Sequence, residues 1–274
     1  MIQTKSKNIL FYILMFLLAL IMIFPFVWML STSFKFDSQV FTTPIEWIPN
    51  PVNLNNYVKV WTEEPFFTYY KNTIFVAVGA TIGQVIISAM AAYAFSALEF
   101  RGRNLLFSLY LATMMVPWHT IMIPQYKIIS QMGLTDSHYA LILGQLASAF
   151  GIFLLRQFFM SVPRELMEAA RIDGASELRI FSQIMLPLAK PAISTLVIFS
   201  FVQVWNDYTA PLIYLNSKEK YTIQLGLTFF QSEHTMQYTV IMAGTVCALI
   251  PILIIYMLFE KHITNGMVHS GLKG

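Results

Sequence analysis

From Asn8 to Phe34 the chain carries no Asp, Glu, Lys or Arg, and the same is true of Asn72–Leu98, Asn104–Tyr126, Ser137–Leu155 and His234–Phe259. Each of these stretches is long enough for a membrane-spanning helix, which needs roughly 20 residues. A sixth, Pro191–Leu215, is broken only by Asn206 and Asp207. Charged residues make up 11% of the chain, against about 25% in an average soluble domain. An ordinary soluble globule is excluded, and the expectation is an all-α polytopic membrane protein with six transmembrane helices. The spans read as 9–30, 73–98, 105–123, 139–159, 192–215 and 238–259 of a single transmembrane domain covering 1–274.

Orientation follows from Lys and Arg, which concentrate in cytoplasmic loops. Six spans put both termini on one side. Placing them inside assigns Lys5, Lys7, Arg101, Arg103, Arg156, Arg164, Arg171, Arg179, Lys190, Lys261 and Lys273 to the cytoplasm, eleven of the seventeen cations. Lys35, Lys59, Lys71, Lys127, Lys218 and Lys220 remain outside. The first apolar stretch exceeds the 7–15 residues of a signal h-region and lacks a small-residue cleavage site, so it reads as a retained anchor. The single cysteine, Cys247, falls inside the last span, which removes disulfide frameworks and Cys-based metal clusters. The net charge of +3 is accounted for by the positive-inside bias and gives no reason to invoke nucleic acid.

Within the second span, Gly79 and Gly83 have the spacing of a GxxxG contact, and Ser88, Ala89, Ala91, Ala92 and Ala94 follow. Small residues let helix backbones approach in lipid, so this surface is expected to face another helix, in this chain or a partner. Prolines 25, 117, 124, 211 and 251 fall within or beside spans, each removing a backbone donor and favouring a kink.

Residues 161–190, SVPRELMEAARIDGASELRIFSQIMLPLAK, differ from their surroundings in being charged and amphipathic. Pro163 suits a helix start. Leu166, Ala169, Ala170 and Asp173 then share one helical face. Gly174 suits the left-handed residue that ends a helix, and Ser176 suits the cap of the next. The second helix places Ile180, Phe181, Ile184 and Met185 on one side and is expected to stop before Pro187. Two short helices around a tight bend could enter a groove on a cytoplasmic partner as a rigid lever, or rest on lipid headgroups.

Glu168, Ala169, Ala170, Asp173, Gly174, Ala175, Phe181, Ile184, Leu186 and Pro187 have the identity and spacing of the EAA loop of ABC importer permeases, EAA-x-x-DGA-x5-F-x2-I-x-LP. Over most of its length the chain most resembles the maltose-type carbohydrate permeases of the type I importer class. Trp205-Asn206-Asp207 with Pro211-Leu212, Asn55-Asn56-Tyr57 and the terminal Gly271-Leu272-Lys273-Gly274 add to that resemblance. The resemblance implies a type I importer transmembrane fold and a multi-pass subunit of a bacterial or archaeal cell (inner) membrane. It implies that Glu168, Ala169, Ala170, Asp173, Gly174 and Pro187 belong to the coupling helix docking on an ATPase, and that Gly271 and Lys273 lie in a tail reaching the same partner. The implied partners are a second homologous permease, an ABC ATPase dimer carrying ATP and Mg, and an extracytoplasmic sugar-binding protein meeting the loop near Asn216–Gln237. No cofactor is expected in this chain.

Asp207 is the one acid inside an expected span, where a charge costs at least roughly 2.5–3.5 kcal/mol on insertion scales. Pro211 deprives its carbonyl of a helical partner, so an unwound polar spot is expected there. Trp205, Asn206 and Asp207 are candidates for the substrate pathway, with a structural brace at a helix break as the other reading. Neither His119 nor His138 has a second ligand at helical spacing, so no metal site is expected.

Three functions compete. An importer permease would itself be non-catalytic, since the chain has no GxxxxGK[ST] phosphate loop. A channel or secondary transporter would usually carry intramembrane coupling charges or repeated halves. An intramembrane enzyme would need an HExxH motif or paired aspartates, neither of which is present. Permeases for polyamines, phosphate and peptides also carry EAA loops, and the preference for sugar rests on the resemblance.

Overall fold

Long charge-free runs cannot leave backbone polar groups unpaired in lipid, and helices pair them within one segment. A computed structural model describes residues 2–230 and 237–271. Its helices are α1 (Ile2–Ser33), α2 (Asn55–Thr62), α3 (Phe66–Ala97), α4 (Arg103–Ala112), α5 (Trp118–Gln131), α6 (His138–Gln145), α7 (Ala149–Ser161), α8 (Arg164–Ile172), α9 (Glu177–Leu188), α10 (Lys190–Trp205), α11 (Thr209–Tyr214), α12 (Ile223–Leu227) and α13 (Tyr238–Gly271). No strand occurs among the described residues.

Three segments are long and apolar enough to cross a membrane unaided: Phe11–Ser33, Phe66–Ala97 and Tyr238–Lys261. The other expected spans are broken. Arg103–Met115 and Trp118–Gln131 meet at 102°, so the expected span over 105–123 is sharply bent, and with each bent pair taken as one span the described residues hold up to six crossings. The cause is Pro117, which ends the helix instead of kinking it by crowding Val116 into an extended conformation with ψ 114°. The expected span 139–159 is bent by 42° between α6 and α7. There Ser148 caps α7, its Oγ accepting from the Gly151 N–H at 3.0 Å. The expected span 192–215 is helical to Trp205, leaves the helix at Asn206–Tyr208 and resumes as α11.

The chain divides into two compact units, 1–67 with 226–250, and 68–225 with 251–274. In the first, the loop after α1 is organised by Asn56, whose amide donates to the Ser33 and Lys35 carbonyls at 2.9 and 2.8 Å. The Thr239 hydroxyl donates to Asp37 Oδ1 at 2.9 Å. Gly244 gives Leu227 room, since a Cβ there would stand 2.6 Å from Leu227 Cδ2.

In the second unit the glycine face of α3 packs on α6. A Cβ on Gly79 would lie 3.0 Å from Ile142, and one on Gly83 would collide with Leu146. Gly151 likewise admits Ser88 and Leu196. The small-residue stripe thus serves contacts inside this chain, in keeping with packing-driven association in lipid. Beside it lies an apolar cluster that includes Ala92, Tyr93, Leu155, Phe159, Ile180 and Met185.

A polar knot ties two loops of this unit. Asp136, in the left-handed region at φ 53°, accepts the N–H groups of Asn216 and Ser217 at 2.9 and 3.0 Å and the Ser217 hydroxyl at 2.5 Å. It also pairs with Lys220 Nζ at 3.0 Å. The Ser217 hydroxyl and amide, with further help from Asn216 and Lys220, hold the Asp136 carboxyl well below the usual carboxylate range.

Candidate functional site

The hairpin of α8 and α9 is built from its bend outward. Gly174 takes φ +79° with open space around its Cα. Its N–H donates to the Arg171 carbonyl at 3.1 Å, and the Ala175 N–H reaches the Ala170 carbonyl at 2.9 Å. These paired bonds form a Schellman closure, and the Ala170 and Ala175 side chains both pack on the apolar cluster beneath. Ser176 opens α9, its hydroxyl accepting from the Arg179 N–H. The expected stop before Pro187 does not occur, and α9 runs through it to Leu188. A widened turn over Phe181–Met185, in which the Leu186 N–H bonds to the Phe181 carbonyl, separates the proline ring from the preceding turn.

The underside of the hairpin is anchored and its outer surface is bare. Met167, Ile180 and Met185 are buried in the cluster. Glu168, Ala169 and Asp173 are exposed. Three apolar side chains stand out with them, Leu166 at 47%, Ile172 at 86% and Leu178 at 74% exposure. Pro187 is also exposed. A cleft of about 290 Å³ beside the hairpin is lined by Glu99, Arg103, Arg164, Glu168, Arg171 and Glu177, among others.

Glu177 escaped the sequence reading. It accepts Arg171 Nε at 2.7 Å on one oxygen and the Tyr93 hydroxyl at 2.6 Å on the other. One carboxylate therefore ties α8 and α9 to α3. The Arg171 bond, then the Tyr93 bond, lowers the Glu177 carboxyl below its ordinary value, and the same pairing raises Arg171. The clue available in sequence was only an Arg and a Glu flanking the bend, and Tyr93 lies 84 positions away.

A second polar place lies where α10 breaks. A pocket of about 290 Å³ is lined by Trp118, His119, Gln145, Gln203, Asp207 and Thr209, with Gly144. Asp207 Oδ1 accepts the Ala210 N–H at 3.1 Å, while its Oδ2 accepts from Gln145 Nε2 at 3.4 Å. Gln203 donates to Gln145 Oε1, also at 3.4 Å. Of the three pathway candidates, Asp207 lines the pocket and the others do not. Trp205 is fully buried, stacked on Phe201 at 5.4 Å and edge-on to Tyr70. Asn206 is exposed and holds Gln224 at 3.1 Å. Gln145 and Gln203 carry no charge, so charge spacing in the sequence gives no sign of them. No grouping of His, Cys, Asp and Glu among the described residues could hold a metal ion. Gly271 is the last of the described residues and lies in α13, and Lys273 lies outside the described residues.

The family described as binding-protein-dependent transport system inner membrane component matches residues 84–269. The arabinooligosaccharides transport system permease protein AraQ of Bacillus subtilis (strain 168) is 32% identical over 261 residues, 94% of this chain and 93% of that protein. The sn-glycerol-3-phosphate transport system permease protein UgpE of Yersinia pestis bv. Antiqua is 33% identical over 274 residues, covering 97% and 98%. Among solved structures, a chain of a bacterial ABC transporter involved in the import of the acidic polysaccharide alginate superposes with a TM-score of 0.82 at 28% identity, covering 94% of this chain and 96% of the other.

Proposed function

Because the chain belongs to the binding-protein-dependent transport system inner membrane component family, we propose that it is the permease subunit of an ATP-driven importer of saccharides. It acts as one permease domain and forms half of the translocation pathway with a second homologous permease. ATP hydrolysis, with its Mg, belongs to a partner ATPase dimer, and an extracytoplasmic binding protein delivers the sugar. The chain resides in the cell inner membrane with both termini cytoplasmic, as the Lys and Arg distribution favours.

The observation that carries this reading is the α8–α9 hairpin. A helix pair clamped underneath to α3, α4, α7 and α10 while showing Leu166, Ile172 and Leu178 to its surroundings is suited to enter a partner's groove and move as a rigid body. Glu168 and Asp173 supply the polar contacts, Ala169 and Ala170 the close approach, Gly174 the bend, and Pro187 the exit. Closure of the ATPase dimer then displaces the hairpin and, through Met185 and Ile180, the helices around the pathway. Gly271 and Lys273 add a tail contact on the same partner. Saccharide is the substrate class because the related AraQ carries that assignment in its name.

The test is ATP-dependent uptake of labelled oligosaccharides into proteoliposomes holding this chain, its partner permease and the ATPase, with binding protein supplied. Replacing Glu168 by Lys is expected to abolish uptake while the permease pair still assembles. Uptake without ATP, or normal uptake by the Glu168→Lys complex, would overturn the assignment in favour of a self-contained channel or transporter.

A further inference from the structure

The related permeases are named for a neutral sugar oligomer and for a glycerol phosphate, and the similar solved transporter imports an acidic polysaccharide. Family membership therefore leaves the charge of the cargo open. The pocket at the α10 break addresses that question.

Gln145, Gln203 and Asp207 sit on segments that must cross the membrane, yet Gln203 is exposed and the other two are half-buried in the chain by itself. Amides and carboxylates at such depth face protein or water, because lipid cannot satisfy them. Their mutual bonds, at 3.4 Å, are long against the 2.7–3.2 Å of a well-made N–H···O bond. The two amide groups and Asp207 Oδ2 thus retain donor and acceptor capacity for a third group. Trp118 completes the lining differently. Its indole N–H is taken by Gln125 Oε1 at 2.9 Å, so what it can offer a ligand is an apolar ring face.

An apolar ring beside amides and a carboxylate suits a sugar, whose ring presents C–H groups on one face and hydroxyls at its edge. The charge inventory narrows this further. The lining contains the Asp207 carboxylate and the His119 imidazole, and no Lys or Arg. A phosphate, sulfonate or uronate entering here would meet a carboxylate and no fixed cation, in a low-dielectric setting where an unpaired anion is costly.

The geometry points to a saccharide-binding place in this subunit, formed by Trp118, Gln145, Gln203 and Asp207, that accepts uncharged oligosaccharides and excludes anionic ones. This rests on the importer reading above and adds the charge class and the residues.

The experiment uses the full complex in proteoliposomes, with binding protein, and three probes: arabinotriose, maltotriose and trigalacturonate. Wild type is expected to take up at least one neutral trisaccharide and to discriminate against trigalacturonate at least tenfold in kcat/KM. Gln145→Ala and Gln203→Ala should each raise the KM for the neutral sugar about three- to tenfold, as expected for one lost hydrogen bond. Asp207→Asn, which keeps an oxygen for the Ala210 N–H, should raise that KM and narrow the discrimination against trigalacturonate. Direct binding of tritiated sugar to the purified complex separates weakened binding from failed assembly and should weaken in the same variants. Equal uptake of the acidic probe by wild type, or wild-type KM and binding in all three variants, overturns the pocket assignment while leaving the importer intact. ATP-dependent uptake of none of the three probes, with no binding, overturns both the pocket assignment and the saccharide reading.

Discussion

The two polar places in the second unit are held together in opposite ways. At the hairpin, Glu177 binds Arg171 and Tyr93 at 2.7 and 2.6 Å over a buried apolar floor. At the α10 break, Asp207, Gln145 and Gln203 are linked at 3.4 Å around open volume. Short charge-assisted bonds on a packed base make a part that moves without deforming. Long amide bonds around a cavity make a part that can exchange its partners. On the proposed function, the first suits the place where force enters and the second the place where cargo passes.

The comparison breaks most visibly if the floor of the hairpin is emptied. Met185→Ala is expected to cost about 2–5 kcal/mol through lost contacts and the cavity left behind, read as a shift in denaturant unfolding of the purified complex, with loss of uptake. Next comes the bend. Gly174→Val should cost about 1–2 kcal/mol because only the left-handed conformation is at stake, the space around Gly174 being open. Gly174→Asn should recover most of that, and equal loss from both variants would show that the backbone angle is not what matters.

Glu177→Ala should cost about 1 kcal/mol, discounted because both side chains of the Arg171–Glu177 pair are more than a third exposed. Its sharper effect is expected in the ratio of ATP hydrolysed to sugar moved, which should rise as the hairpin loosens. The pH dependence has a definite sign. Since folding depresses the Glu177 carboxyl, its stabilisation is complete above the ordinary value of 4.5 and disappears as pH falls through the depressed folded value. The hydrogen-exchange protection factor at the bend, taken against the intrinsic rate at each pH, should therefore be flat from pH 8 to 5 and fall only in stronger acid. The smallest effect belongs to the other place: Gln203→Ala should change stability by less than about 0.5 kcal/mol, because its bond to Gln145 is long and its side chain is exposed. A loss as large as that of Glu177→Ala would erase the contrast.

Much of this was legible in the chain itself. Charge-free runs mark α1, α3 and α13, and Gly174 with Ser176 marks the bend, because each rests on local chemistry. The sharp turn at Pro117 was not, since mean hydropathy is blind to direction: 105–123 is equally apolar whether straight or turned through 102°, whereas the break at Asn206–Tyr208 was legible from Asp207 and Pro211. Pro187 misled in the other direction, because a widened turn let α9 continue through it. Glu177 and the Gln145–Gln203–Asp207 group depend on contacts between residues 58 to 84 positions apart, and no local pattern carries such a pairing. Trp205 looked like a pathway residue by its neighbours in sequence, yet one helical residue before the break is enough to turn it into the packed interior.

The Asp136 knot has a consequence for how the chain is made. Lys220 is among the few cations that the proposed orientation leaves on the far side of the membrane, against the usual bias. Its partner carboxylate lies 84 positions earlier in the chain, on a loop two expected crossings upstream. On the proposed orientation the pairing is available only to a chain that makes both intervening crossings, since missing one would leave Asp136 and Lys220 on opposite sides, each with an unmatched charge.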